Sequence, residues 1–175
     1  ALSPPANYKD PAKIEAWRAE KAAELDAKAD ERWKRTALDG ARGELVCMSW
    51  AVGDAPVQHV YREPAGCERE MLREFFGDLL AELPDDPVRW VGHNVKDFDL
   101  RFLFQRCVIN RVEPPVHLPH DARGNGRDLY DTMLAWAGWG NRVSLDALCR
   151  ALGIPIKGAE LDGEPIDGAA VWDYV

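Results

Sequence analysis

Apolar positions are sparse at the start of the chain and dense further on. Between Lys13 and Arg35 stand 13 charged residues, and the few large apolar ones are Ile14, Trp17, Leu25 and Trp33. Asp10 ahead of Pro11 supplies an N-cap and a proline at the first helical position. Glu24 and Lys28, Asp30 and Lys34, and Glu31 and Arg35 each set an acid four residues before a base, which stabilises a helix. The spacing predicts one long or broken solvated helix, closed by the Asp39-Gly40 turn. Two uses remain open for it: a surface helix laid on the domain by its tryptophans, or an arm that contacts a partner or substrate.

The pattern then changes period. Two β-rich runs at about 44–52 and 57–62 flank Gly53-Asp54-Ala55-Pro56 and predict an antiparallel hairpin. Met71, Leu72, Phe75, Phe76, Leu79, Leu80 and Leu83 follow at helical spacing, stopping at Pro84. "PVRWVGHN" is a short strand ending in a polar turn, and "VKDFDLRFLFQRC" continues as a helix. Residues 113–127 form a loop rich in proline, glycine and histidine. "LYDTMLAWAG" and "VSLDALCRALGI" predict two more helices, the second capped by Ser144, ahead of a glycine-rich tail. Hairpin, helix, strand, helix describes an α/β or α+β domain without repeats.

At 175 residues the chain has the length of one domain, enough to bury roughly 70% of the surface its unfolded form exposes. No apolar stretch approaches the ~20 residues of a membrane span, and no basic-then-apolar leader opens the sequence, so no membrane is expected and the cytoplasm is the default location. Cys47, Cys67, Cys107 and Cys149 show no zinc spacing and read as reduced, buried thiols. A net charge of -8 argues against gripping nucleic acid by bulk positive charge. It leaves open an enzyme that works on nucleic acid through carboxylates holding divalent metal.

Two acids interrupt the apolar run after "PVRWVGHN". On an α-helix, Asp97 faces Arg101 at i+4 and has a local partner. Asp99 has Val95, Phe102 and Leu103 as its i-4, i+3 and i+4 neighbours, with only Lys96 offering a weak opposite charge. A carboxylate so placed needs a partner from elsewhere. One answer is a metal ion at a strand-end crevice; the other is the helix dipole plus a distant arginine. His93, His117 and His120 lack any matching cysteine or acid pattern and are expected to be satisfied in loops.

"HNVKDFD" contains Asn94-x-x-x-Phe98-Asp99 at a helix start after a strand. It resembles the second signature motif of the DnaQ-like (DEDD) 3'-5' exonucleases, a branch of the RNase H-like fold. "YDTMLAWAGWGNRVSLDALCRALGIP" is similar to that superfamily's later segment, in matching order and separation. "ANYKDPAKIEAWRAEK" followed by "LVCMSWA" resembles, more narrowly, predicted exonucleases related to the proofreading domain of family B polymerases.

The resemblance spans most of residues 6–175 and implies an RNase H-like mixed sheet, antiparallel hairpin plus parallel strand, flanked by helices. Residues 10–39 would be a charged helical insertion within one domain, 1–175, that is incomplete at both ends. It implies two divalent ions, Mg²⁺ or Mn²⁺, held by four acidic side chains, and a nucleic acid with a 3' end as partner, DNA ahead of RNA. Asp99 would be a catalytic metal ligand, Asn94 and Phe98 would shape the pocket around the terminal nucleotide, Phe98 as a core anchor ahead of a stacking platform, and Asp131, Ser144 and Asp146 match positions with structural roles. Nucleoside monophosphates would be released, in repair, replication or phage DNA metabolism. The superfamily's first motif, Asp-x-Glu on an early strand, is absent, and Tyr174 could open the last motif only with an acid past residue 175. The competing expectation is therefore a catalytically inactive RNase H-like domain that binds nucleic acid or a protein.

Overall fold

The structure, a computed structural model, describes residues 3–5, 7–63, 66–83, 88–155, 160–161 and 164–165. The chain divides into two units, Ala1–Asp39 and Gly40–Val175. In the first, helix α1 runs Pro11–Arg35, and the Asp10 carboxylate accepts the Ala12 amide at 3.0 Å. All three expected acid–base pairs form, Glu24–Lys28 at 2.6 Å, Asp30–Lys34 at 3.7 Å and Glu31–Arg35 at 2.7 Å, and Lys21 also meets Glu24. A 3-10 turn, Thr36–Leu38, ends it. No residue of α1 is buried, so charge pairing and the cap sustain this helix.

The second unit opens with the expected hairpin. Strands β1 (Cys47–Trp50) and β2 (Gln58–Tyr61) pair antiparallel, Cys47 opposite Tyr61 and Trp50 opposite Gln58. Gly53 turns the chain with a φ of +58°, which glycine adopts without steric cost. Helix α2 (Glu68–Glu82) buries Met71, Leu72, Phe75, Phe76 and Leu79, as its spacing predicts, while Leu80 faces solvent. Pro84, the expected stop, lies outside the described residues.

Strand β3 (Trp90–Gly92) leads through a π-helical turn, Lys96–Leu100, into helix α3 (Arg101–Asn110). Strand β4 (Leu129–Asp131) pairs parallel to β3, Gly92 opposite Asp131. Helices α4 (Thr132–Ala137) and α5 (Leu145–Leu152) follow, and β5 (Glu160–Leu161) and β6 (Glu164–Pro165) make a short antiparallel pair in the tail. Leu72, Phe75, Phe76, Leu103, Cys107 and Leu129 belong to one buried cluster, against which Met48, Trp50 and Trp90 pack.

Four expectations are corrected. Leu129-Tyr130-Asp131 is a strand rather than the start of a helix, because three residues are too few for periodicity to show and pairing to β3 decides them. The hairpin and the parallel pair are separate two-stranded ladders among the described residues, not one mixed sheet. The tail contributes a strand pair where only a glycine-rich segment was expected. All four cysteines are free, but Cys47 and Cys67 are exposed: one sits at an outward position of a short strand, the other at the residue before α2. Cys107 does fit its expectation, and burial, with the Glu68 charge nearby, pushes its thiol up to about 12.

A buried ion pair ties α2 to α3. Arg106 donates Nε to Glu68 Oε1 at 2.8 Å, with a second bond to Oε2, and its Nη1 reaches the Gly40 carbonyl at 3.1 Å. Asn110 Nδ2 and the Leu45 amide also bond Glu68, at 2.7 and 2.8 Å. Burial alone would raise the Glu68 carboxyl, but the bonds from Arg106, Leu45 and Asn110 outweigh it and hold it below its ordinary value. Every member of this network has a partner, the condition under which a buried pair is tolerated.

Candidate functional site

The turn after β3 is built by close approach. A Cβ at Gly92 would stand 2.7 Å from the Val95 Cβ, so only glycine lets the strand end fold back on Val95. Asn94 then takes a left-handed φ of +59°, which asparagine tolerates better than most residues. From there the chain winds in a π-helical turn, the Leu100 amide donating to Val95 O at 2.8 Å across five residues.

That winding corrects the pairing expected for Asp97. The i+4 rule presumes α-helical rotation, and an i→i+5 turn carries Asp97 away from Arg101. Asp97 instead meets Lys96 Nζ at 2.9 Å, and Arg101 donates to the His120 carbonyl at 3.3 Å.

Asp131 holds the turn in place. Its Oδ1 accepts the amides of Asn94 at 3.0 Å, Met133 at 3.0 Å and Leu134 at 3.3 Å, and its Oδ2 accepts Lys96 N at 3.3 Å. One buried carboxylate therefore caps α4 and clamps the polar turn after β3. The matched structural role fits, as does that of Ser144, which caps α5 by accepting the Ala147 amide at 3.2 Å. Asp146 is exposed in the first turn of α5. Asn125, which sequence reasoning passed over, fixes the Asp131 backbone from both sides, at 2.6 and 3.1 Å; its only signal was an Asn-Gly step in a loop.

Asp99 lies on the π-helical turn, and among the described residues it forms no ion pair. Its side chain reaches solvent, yet enough protein surrounds it that burial raises its carboxyl above the ordinary range; its own backbone amide pulls the other way, and the Asp131 charge adds to the rise. The expected distant arginine is thus not found among the described residues, and the charge that acts on Asp99 is another carboxylate, Asp131. Phe98 is 38% exposed, with its ring 6.0 Å from that of Phe102, so it borders the core rather than anchoring it. His93 is satisfied at both ring nitrogens, Nε2 donating to Val143 O at 2.8 Å and Nδ1 lying 3.0 Å from Thr132 Oγ1. His120 stacks on Phe104 with centroids 3.8 Å apart.

A pocket of about 250 Å³ opens beside this turn. It is lined by Asn94, Lys96 and Asp97 of the turn, by Asp131, Met133 and Leu134 at the β4–α4 junction, and by Gly138 to Arg142 after α4. Asn94 is thus in the pocket, while Asp99 and Phe98 are outside its lining. Among the described residues no three acidic, histidine or cysteine side chains converge as a metal site would need. Asp99 offers a carboxylate, but those of Asp131 are engaged by four amides, so the described residues do not by themselves make a metal centre. Likewise, no described helix is long and apolar enough to cross a membrane. Comparison with family models, curated proteins and solved structures finds no match to the chain.

Proposed function

We propose that this chain belongs to a metal-dependent 3'-5' exonuclease of RNase H-like fold that hydrolyses DNA, with RNA as the secondary substrate. The observation that carries the reading is Asp99: a carboxylate without an ion-pair partner among the described residues, on the turn that follows β3, with its carboxyl raised and Asp131 as its charged neighbour. A carboxyl raised by its surroundings beside a second carboxylate is the kind of group that functional sites collect. In this reading Asp99 shares Mg²⁺ or Mn²⁺ with carboxylates outside the described residues, and the metal would supply Lewis-acid stabilisation of the scissile phosphate. Asn94, already on the pocket wall, and Phe98, half out of the core, would border the terminal nucleotide.

The test is degradation of single-stranded DNA by the full-length protein with Mn²⁺. Labelled at the 5' end, the substrate should shorten stepwise from the other end; labelled at the 3' end, it should release labelled nucleoside monophosphate at once. Internal cleavage, or no hydrolysis, contradicts the reading, and tight binding without hydrolysis favours an inactive nucleic-acid-binding domain instead.

A further inference from the structure

We infer that the pocket beside the β3 turn is a subsite for one base and phosphate of a single nucleic-acid strand, with Trp139 as its stacking platform and Arg142 as its phosphate contact. The ligand class rests on the nuclease reading, but the site itself is argued from its own geometry. Gly138 and Gly140 flank Trp139 with φ of +80° and +78°, values that side-chain-bearing residues rarely adopt. This Gly-Trp-Gly turn holds the indole out of the core, leaving Trp139 74% exposed, the most exposed large apolar residue described. What sets Trp139 apart from the other exposed apolar side chains is that it lines the pocket together with Lys96 and Arg142.

One face of that ring is already taken: Lys96 Nζ lies 5.5 Å from its centroid. The ammonium also meets Asp97, which leaves the local charge balanced. With 74% of the residue exposed, the indole keeps open surface on which a flat ring can stack. Arg142, on the same wall, is exposed and has no ion pair or hydrogen bond among the described residues. Met133 and Leu134 add apolar surface to the lining, and Asn94 and Asn141 add amide side chains, that of Asn141 also donating to the Ala137 carbonyl at 3.1 Å. An aromatic face, a free guanidinium, amides able to pair with a base edge and apolar surface are the groups that hold a nucleotide of a single strand. At about 250 Å³ the volume is just under the ~300 Å³ at which small-molecule pockets begin, too small for a dinucleotide cofactor. Asp131, whose carboxylate accepts the Asn94 and Lys96 amides, fixes two of the pocket's lining residues.

The experiment is a fluorescence-anisotropy titration of the full-length protein with a labelled oligothymidine in EDTA, where no turnover occurs. Trp139→Ala should weaken binding by ~5- to 150-fold, the range that loss of one stacked base gives. Trp139→Phe, which keeps an aromatic face, should recover most of that loss. Arg142→Ala should flatten the slope of log K against log salt by ~0.7, the share of one phosphate on a single strand. Unchanged affinity in Trp139→Ala, or equal loss in Trp139→Ala and Trp139→Phe, overturns the stacking role, and an unchanged slope in Arg142→Ala overturns the phosphate contact. Binding that follows this pattern in a protein that never hydrolyses DNA would retain the subsite while removing the nuclease reading.

Discussion

Single carboxylates illustrate how context decides what an acid does. Glu68, Asp97, Asp99 and Asp131 are alike in sequence, yet one sits in a buried ion pair, one meets its neighbouring lysine, one stands without an ion pair and one gathers four amides. For Glu68 the sign of the pH effect follows directly. Its folded carboxyl lies below its ordinary value of 4.5, so the stabilisation it brings is full above that pH and is lost as pH falls through the lower folded value. Arg106→Ala, by leaving Glu68 buried and unpaired, should cost about 3–5 kcal/mol near neutrality, and the gap from wild type should narrow in acid. Urea denaturation across pH measures both, and parallel curves for the two proteins would show that the pair does not titrate with folding. Little of this was legible in sequence, since Glu68 and Arg106 are 38 residues apart and nothing in either segment announces the other.

Elements with a strong local period were legible, and those decided by tertiary pairing were not. The charges of α1, the apolar face of α2, the Gly53 turn and the Ser144 cap each carry their instruction within a few residues. β4 carries none: Leu129-Tyr130-Asp131 becomes a strand because β3 offers it backbone partners. The π-helical turn is likewise set by packing, with Leu100 buried in the core, and no apolar pattern distinguishes five residues of i→i+5 winding from an α-helix. At the junction of these elements Asp131 is the test. In Asp131→Asn the amide group must turn its NH₂ toward either the Lys96 N–H or the other three amides. A buried donor facing a donor costs about 1–3 kcal/mol. Hydrogen exchange should show the amides of Asn94, Lys96, Met133 and Leu134 losing protection while α2 keeps its own. Uniform loss across both would mean that Asp131 supports the whole unit and not this junction.

For the molecule as a whole, an acidic chain with a net charge of -8 can bind a polyanion only through local sites, since its long-range field repels one. The candidate pocket has that local character: a guanidinium without an ion pair among the described residues and an exposed ring set between two glycines of positive φ. The mixed α/β architecture was readable from the order of elements, and the position of Asp99 after β3 from its motif; the pocket was not, because Trp139 and Lys96 stand 43 positions apart in the sequence. The central claim is that Asp99 holds a catalytic metal, and the most direct measurement compares kcat of the full-length protein and of Asp99→Ala on 3'-labelled single-stranded DNA with saturating Mn²⁺. Asp78→Ala, an exposed acid on α2, serves as the control for folding and charge. Asp99→Ala should lose at least ~100-fold, beyond what removal of an outer-shell group costs a metal site, with Asp78→Ala unaffected; equal turnover by Asp99→Ala and wild type would contradict the account.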